Sequence, residues 1–199
     1  MASVLVPAGR WPRWVANFAS RHEGVELTID GGLAGRAPDG STFRALLPFD
    51  AAYDGEAGAD AFAAAAAAPA IWGVLIVRKG GFAVARLSGA DLVEHKIGQR
   101  HVQGRTKAGG QSQQRFARRR DNQARAAYQA AAEHAARILR PGPVVTGGDR
   151  SAVEDVLSDA RLTGLAVVEP WLAVPDPKRV VLDQAILDAQ AIRVDVTNA

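Results

Sequence analysis

The sequence predicts an α/β protein, with a mixed sheet and flanking helices on residues 70–199 and a small N-terminal α+β annex on residues 1–69. Three observations predict it. Residues 71–87 hold an almost continuous apolar run and a second, returning run separated by a glycine turn. A helical period continues from about Ser112 to Leu139. Beyond it the chain keeps alternating short apolar runs with amphipathic stretches, the pattern that layers helices on a sheet. At 199 residues the chain is long enough to bury a substantial core.

In the annex, Trp11, Trp14, Val15 and Phe18 recur at helical spacing and predict an amphipathic helix. Such an aromatic stripe could stack nucleic-acid bases, but its ordinary role is to be the buried face, and it is assigned to the core. Val25–Ile29 reads as a strand, Asp30-Gly31-Gly32 as a turn, and Phe43–Leu47 as the returning partner strand before Pro48. The alanine run Ala61–Ala68 reads as a short helix capped by Asp60 and stopped by Pro69.

The continuous apolar run Ile71–Val77 predicts a strand buried on both faces, and Lys79-Gly80-Gly81 turns it into a second strand, Phe82–Leu87. Leu92–Ile97 extends the meander and leads into the polar segment Gln103–Gly110, expected to be an exposed, mobile loop. In the long helix that follows, Ala124, Tyr128, Ala131, Ala135 and Ile138 form one apolar stripe. Pro141-Gly142-Pro143 ends it. Val144–Thr146, Leu165–Val168 and Ile192–Val196 are strand candidates, with helices predicted over Ser151–Leu157 and Arg179–Gln190.

Charge singles out one region. The chain has 24 Lys and Arg against 21 Asp and Glu, yet eight cations and no carboxylate lie between His95 and Arg120. The remainder is therefore net acidic, and the segregated cations have the electrostatic form of a phosphate-binding surface. Arg115, Arg118 and Arg119 share one face of the predicted helix near its N-terminus. Cations there oppose the helix dipole unless phosphates supply the missing negative charge.

Several chemistries lack their residues. There is no cysteine, hence no disulfide framework, thiolate metal site or cysteine nucleophile. His22, His95, His101 and His134 have no metal-ligand spacing, no serine sits in a Gly-x-Ser-x-Gly elbow, and Gly104–Gly110 lacks the Lys-Ser/Thr of a P-loop. Neither metal nor cofactor is expected. Gly147-Gly148 between a strand and a helix could cradle a phosphate, although a tight bend explains it more simply. No apolar run reaches membrane-spanning length, so a cytoplasmic protein is expected.

What remains is Gly109-Gly110-Gln111, between the basic segment and the arginine-bearing helix. Two glycines allow close approach of backbone to a ligand, and Gln111 offers an uncharged donor and acceptor. A glutamine side chain cannot act as a general base. Catalysis at such a tip would position a water and stabilise a developing oxyanion.

The run Thr106-Lys107-Ala108-Gly109-Gly110-Gln111-Ser112-Gln113-Gln114-Arg115-Phe116-Ala117-Arg118-Arg119-Arg120 closely resembles the loop and helix of the catalytic middle domain of eukaryotic and archaeal class 1 release factors. The resemblance covers roughly Ile71–Val196 and implies the RNase H-like fold of that domain. A catalytic domain with an N-terminal annex resembles the Vms-like release factors, peptidyl-tRNA hydrolases of ribosome quality control. Many of these carry Ser where this chain has Gly110. The resemblance implies catalytic roles for Gly109, Gly110 and Gln111, and RNA contacts by Arg105, Lys107, Arg115, Arg118 and Arg119. Its partners would be large-subunit ribosomal RNA and peptidyl-tRNA, with no GTPase and no membrane. Release independent of a codon is the expected activity; the competing expectation is a noncatalytic ribosome- or tRNA-binding rescue module.

Overall fold

The computed structural model describes residues 2–99 and 111–199, with the backbone alone over 111–124. In chain order its elements are β1 (Ala2–Val6), α1 (Trp11–Arg21), β2 (Glu26–Ile29), β3 (Leu33–Arg36), β4 (Thr42–Leu46), α2 (Ala59–Ala65), β5 (Trp72–Arg78), β6 (Gly81–Ser88), β7 (Asp91–Gln99), α3 (Gln111–Ile138), β8 (Gly142–Gly148), α4 (Arg150–Leu157), β9 (Leu165–Leu172), α5 (Arg179–Ala189) and β10 (Ile192–Thr197). They form two compact units, Met1–Ala68 with Ile186–Ala199, and Pro69–Ala185.

The first unit is an antiparallel sheet of order β1-β10-β4-β3-β2. The aromatic stripe of α1 is core, as expected. Trp11, Val15 and Phe18 are buried with Phe62 of α2 against Leu33, Phe43, Ala45, Ile192 and Val194 of the sheet. Trp11 and Trp14 stack at 5.2 Å, and Phe43 meets the rings of Trp11, Trp14 and Phe18 edge-on. Edge-on pairs of this kind add to the stabilisation from area alone.

Three local expectations are corrected. Phe43 does not pair with the Val25–Ile29 strand but with Gly35 on the intervening β3, and β3 in turn pairs with β2. Asp30-Gly31-Gly32 closes so tightly, with Gly31 at φ +58°, that the chain reverses at Leu33. The small residues of Leu33-Ala34-Gly35-Arg36 conceal that strand in the sequence, yet a Cβ on Gly35 would lie 2.2 Å from the Phe43 ring. In α2 the N-cap is Gly58, while Asp60 sits in the first turn, where its charge complements the dipole. The last strand, grouped in the sequence reading with residues 70–199, pairs between β1 and β4. Its Ile192 and Val194 are buried in the first unit's core.

The second unit is a mixed sheet of order β7-β6-β5-β8-β9, antiparallel along the β5-β6-β7 meander and parallel across β5-β8-β9. Trp72–Val77 is buried throughout, which is why the run is apolar without alternation. On one face Leu75, Val77, Phe82, Val84 and Val144 pack with Ala131, Ala135, Ile138 and Leu139 from α3 and its end, and with Ala152, Val153 and Val156 from α4. The alternate residues Val74, Ile76, Ala83 and Ala85 are equally buried. Close packing accounts for the Gly147-Gly148 pair. A Cβ at Gly147 would meet the Leu172 carbonyl at 2.5 Å, and Gly148, at φ +97°, would meet the Val77 carbonyl at 2.3 Å.

Candidate active site

Strand β7 and helix α3 frame residues 100–110. Both β5 and β7 run antiparallel to β6, and Arg78, Gly81 and Gln99 align in register, so β7 ends on the same sheet edge as β5. Val77 pairs with Gly148, which puts the end of β8 there too. Gly109, Gly110, Arg105 and Lys107 lie outside the described residues. Gln111 is the first residue of α3, and Arg115, Arg118 and Arg119 follow within its first turns.

Among the α3 side chains that are described, 125–138, the first buried one is Ala127, sixteen positions and roughly 24 Å along the axis from Gln111. From there Ala131, Ala132, Ala135 and Ile138 lie on the sheet, with Tyr128 partly buried against them. The small side chains bring the helix close; a Cβ on Gly73 would lie 2.5 Å from Leu139 Cδ2. His134 stacks on Phe82 at 5.5 Å, and burial, followed by Lys96 and Arg137, lowers its pKa. Glu94 of β7 ties helix to sheet by accepting from Arg86 at 3.4 Å and pairing with Arg137 at 3.1 Å.

The strand leading into the segment is also braced. Gln99 donates from Nε2 to the Pro177 carbonyl at 3.4 Å, and Arg179 Nη1 lies 3.1 Å from His95 Nε2. Arg179 is held in turn by Asp183 at 2.8 Å. Sequence reasoning missed these contacts, which join positions 78 and 84 residues apart with no local pattern. Along the same edge Arg78 donates to the Val174 carbonyl at 2.7 Å and pairs with Asp176 at 3.3 Å and Asp149 at 3.7 Å.

Beside the ends of β5 and β8 opens a polar cleft of about 740 Å³, lined by Arg78, Lys79, Tyr128, Asp149, Arg150 and Asp176 among others. Burial, then Asp149 and Asp155, raise the Tyr128 pKa and keep it a neutral phenol. Arg150 lies 4.3 Å over the Trp171 ring, which fixes the guanidinium. These groups suit anion binding better than nucleophilic attack. Among the described residues no group of three or more His, Asp or Glu is placed to hold a metal. His22 bonds Asp39 at 2.7 Å, His95 and His134 are engaged as above, and His101 lies outside the described residues. No helix among the described residues is long and apolar enough to cross a membrane.

A family profile described as Actinobacteria/chloroflexi VLRF1 release factor matches residues 70–195. The chain belongs to this release-factor family. The VLRF1 match runs from just before β5 into β10, and so takes in the mixed sheet, the Gly109-Gly110-Gln111 tripeptide and all of α3. A VLRF1 release factor is a protein of translation that acts at the ribosome, in agreement with the resemblance seen at Thr106–Arg120. No curated protein matches the chain.

Proposed function

We propose that this VLRF1 release factor is a codon-independent peptidyl-tRNA hydrolase that frees nascent chains from stalled ribosomes or dissociated large subunits. The observation that carries the reading is the tripeptide Gly109-Gly110-Gln111 at the head of a helix whose far half is anchored on the sheet, within the span matched by a release-factor family. Residues 69–185 form the catalytic body. Its strand order, 3-2-1-4-5 when counted within the sheet, supports an RNase H-like assignment.

In this reading Gly109 and Gly110 admit the backbone into the peptidyl-transferase cavity, and Gln111 positions the water. The water oxygen adds to the ester carbonyl carbon, the bond from that carbon to the tRNA 3′ oxygen breaks, and a water proton ends on the released hydroxyl. A neutral amide accelerates this by orientation and by donating to the oxyanion, so the cavity contributes the rest of the environment. Arg105, Lys107, Arg115, Arg118 and Arg119 hold RNA phosphates.

The test is single-turnover release from purified large subunits carrying peptidyl-tRNA and no messenger RNA. Release there, with none from naked peptidyl-tRNA, supports the proposal. Tight binding without release would favour the noncatalytic rescue module. Equal release from naked peptidyl-tRNA would remove the ribosomal cavity from the mechanism.

A further inference from the structure

The first unit carries a second cationic surface, on the exposed side of α1. Arg10, Arg13, Asn17 and Arg21 follow one another at intervals of three, four and four residues, which places them within one stripe of the helix. All four are exposed, while Trp11, Val15 and Phe18 on the other side are buried in the aromatic core. The stripe is rigidly mounted. It is also uncompensated among the described residues: Arg78, Arg86, Arg137, Arg161 and Arg179 each pair with a carboxylate, and none of the three α1 arginines does. The nearest acids in the sequence are Glu23 and Glu26, both past the end of the helix.

Its helix start has the same bias. Arg10 occupies the N-cap without a side-chain capping bond, and the first turn has no acidic residue. The amides of Arg10 and Trp11 are taken by the Pro7 and Ala8 carbonyls and Pro12 has none, so the bias at this end comes from the Arg10 and Arg13 side chains, whose charge opposes the helix dipole unless an anion offsets it. From Arg10 to Arg21 the stripe extends roughly 16 Å, enough to meet several phosphates of one strand.

We propose that this face of α1 is an RNA-backbone docking surface, a second phosphate contact separate in sequence from the His95–Arg120 cluster. The inference rests on the reading that the chain works on an RNA particle. Three arginines around a single asparagine, Asn17, imply recognition chiefly of phosphates and not of sequence. The experiment measures binding of a short A-form RNA duplex to the full chain across a salt series, for wild type, R10Q/R13Q/R21Q and R10K/R13K/R21K. For the glutamine variant the log–log salt slope is expected to fall by about two to three, and the affinity at near-physiological salt at least about tenfold. The lysine variant keeps the slope. A glutamine variant with the wild-type slope overturns the proposal, as does a lysine variant that falls as far as the glutamine one. Peptidyl release from large subunits, measured in parallel, judges the catalytic reading separately: normal release with an unchanged slope sinks only this surface.

Discussion

At Trp11 packing and hydrogen bonding pull in opposite directions. The side chain is 0% exposed and touches Trp14, Phe43 and Phe62, yet its indole Nε1 has no hydrogen-bond partner among the described residues. Removing the ring leaves a large cavity, so Trp11→Ala is expected to lower stability by about 3–5 kcal/mol. Trp11→Phe keeps aromatic contact and also removes the unsatisfied donor, whose burial costs about 1–3 kcal/mol. Its net loss should therefore be well below that of alanine. Urea unfolding of both variants checks this; equal losses would mean that the indole N–H is satisfied in solution. The burial of Trp11 was legible from aromatic spacing, whereas the stranded N–H depends on what the fold brings against it.

At the scale of elements, α3 is held at its base by side chains that respond to pH. His134 is buried enough against Phe82 that its folded pKa lies below the 6.5 of the unfolded chain. The unfolded state thus binds its proton more readily. This contribution to stability is complete above 6.5 and is lost as pH falls through the folded value. His134→Gln should flatten the pH dependence of the unfolding midpoint in that window, and an unchanged profile would rule out the histidine. Periodicity revealed α3, the β5–β6 hairpin and the edge strand β7 because each repeats a local pattern. It could not reveal β1 against β10, whose Val4 pairs with Val194 from the opposite end of the chain. Nor could it reveal β3, where glycine and alanine make room for Phe43 and supply no apolar signal. At the candidate site the motif was legible residue by residue, but Glu94, His95 and Gln99 were not. Their partners, Arg137, Arg179 and Pro177, become neighbours only once the sheet has formed.

For the whole molecule the governing quantity is the distribution of charge. A chain of net +3 with eight of its cations concentrated between His95 and Arg120 is expected to bind polyanions with a steep salt dependence that its net charge alone does not suggest. Arg118→Ala should lower the slope of log affinity against log salt for large subunits by about one, uniformly across RNA sequences. A slope equal to wild type would remove Arg118 from the interface. The central claim, that Gln111 delivers catalysis and not merely contact, is tested most directly by single-turnover peptidyl release from saturated large subunits, with binding measured alongside. Gln111→Ala is predicted to bind within a few-fold of wild type and to lose at least about a hundredfold in release rate, the scale seen when a transition-state donor is removed. Release at the wild-type rate by Gln111→Ala would contradict the account.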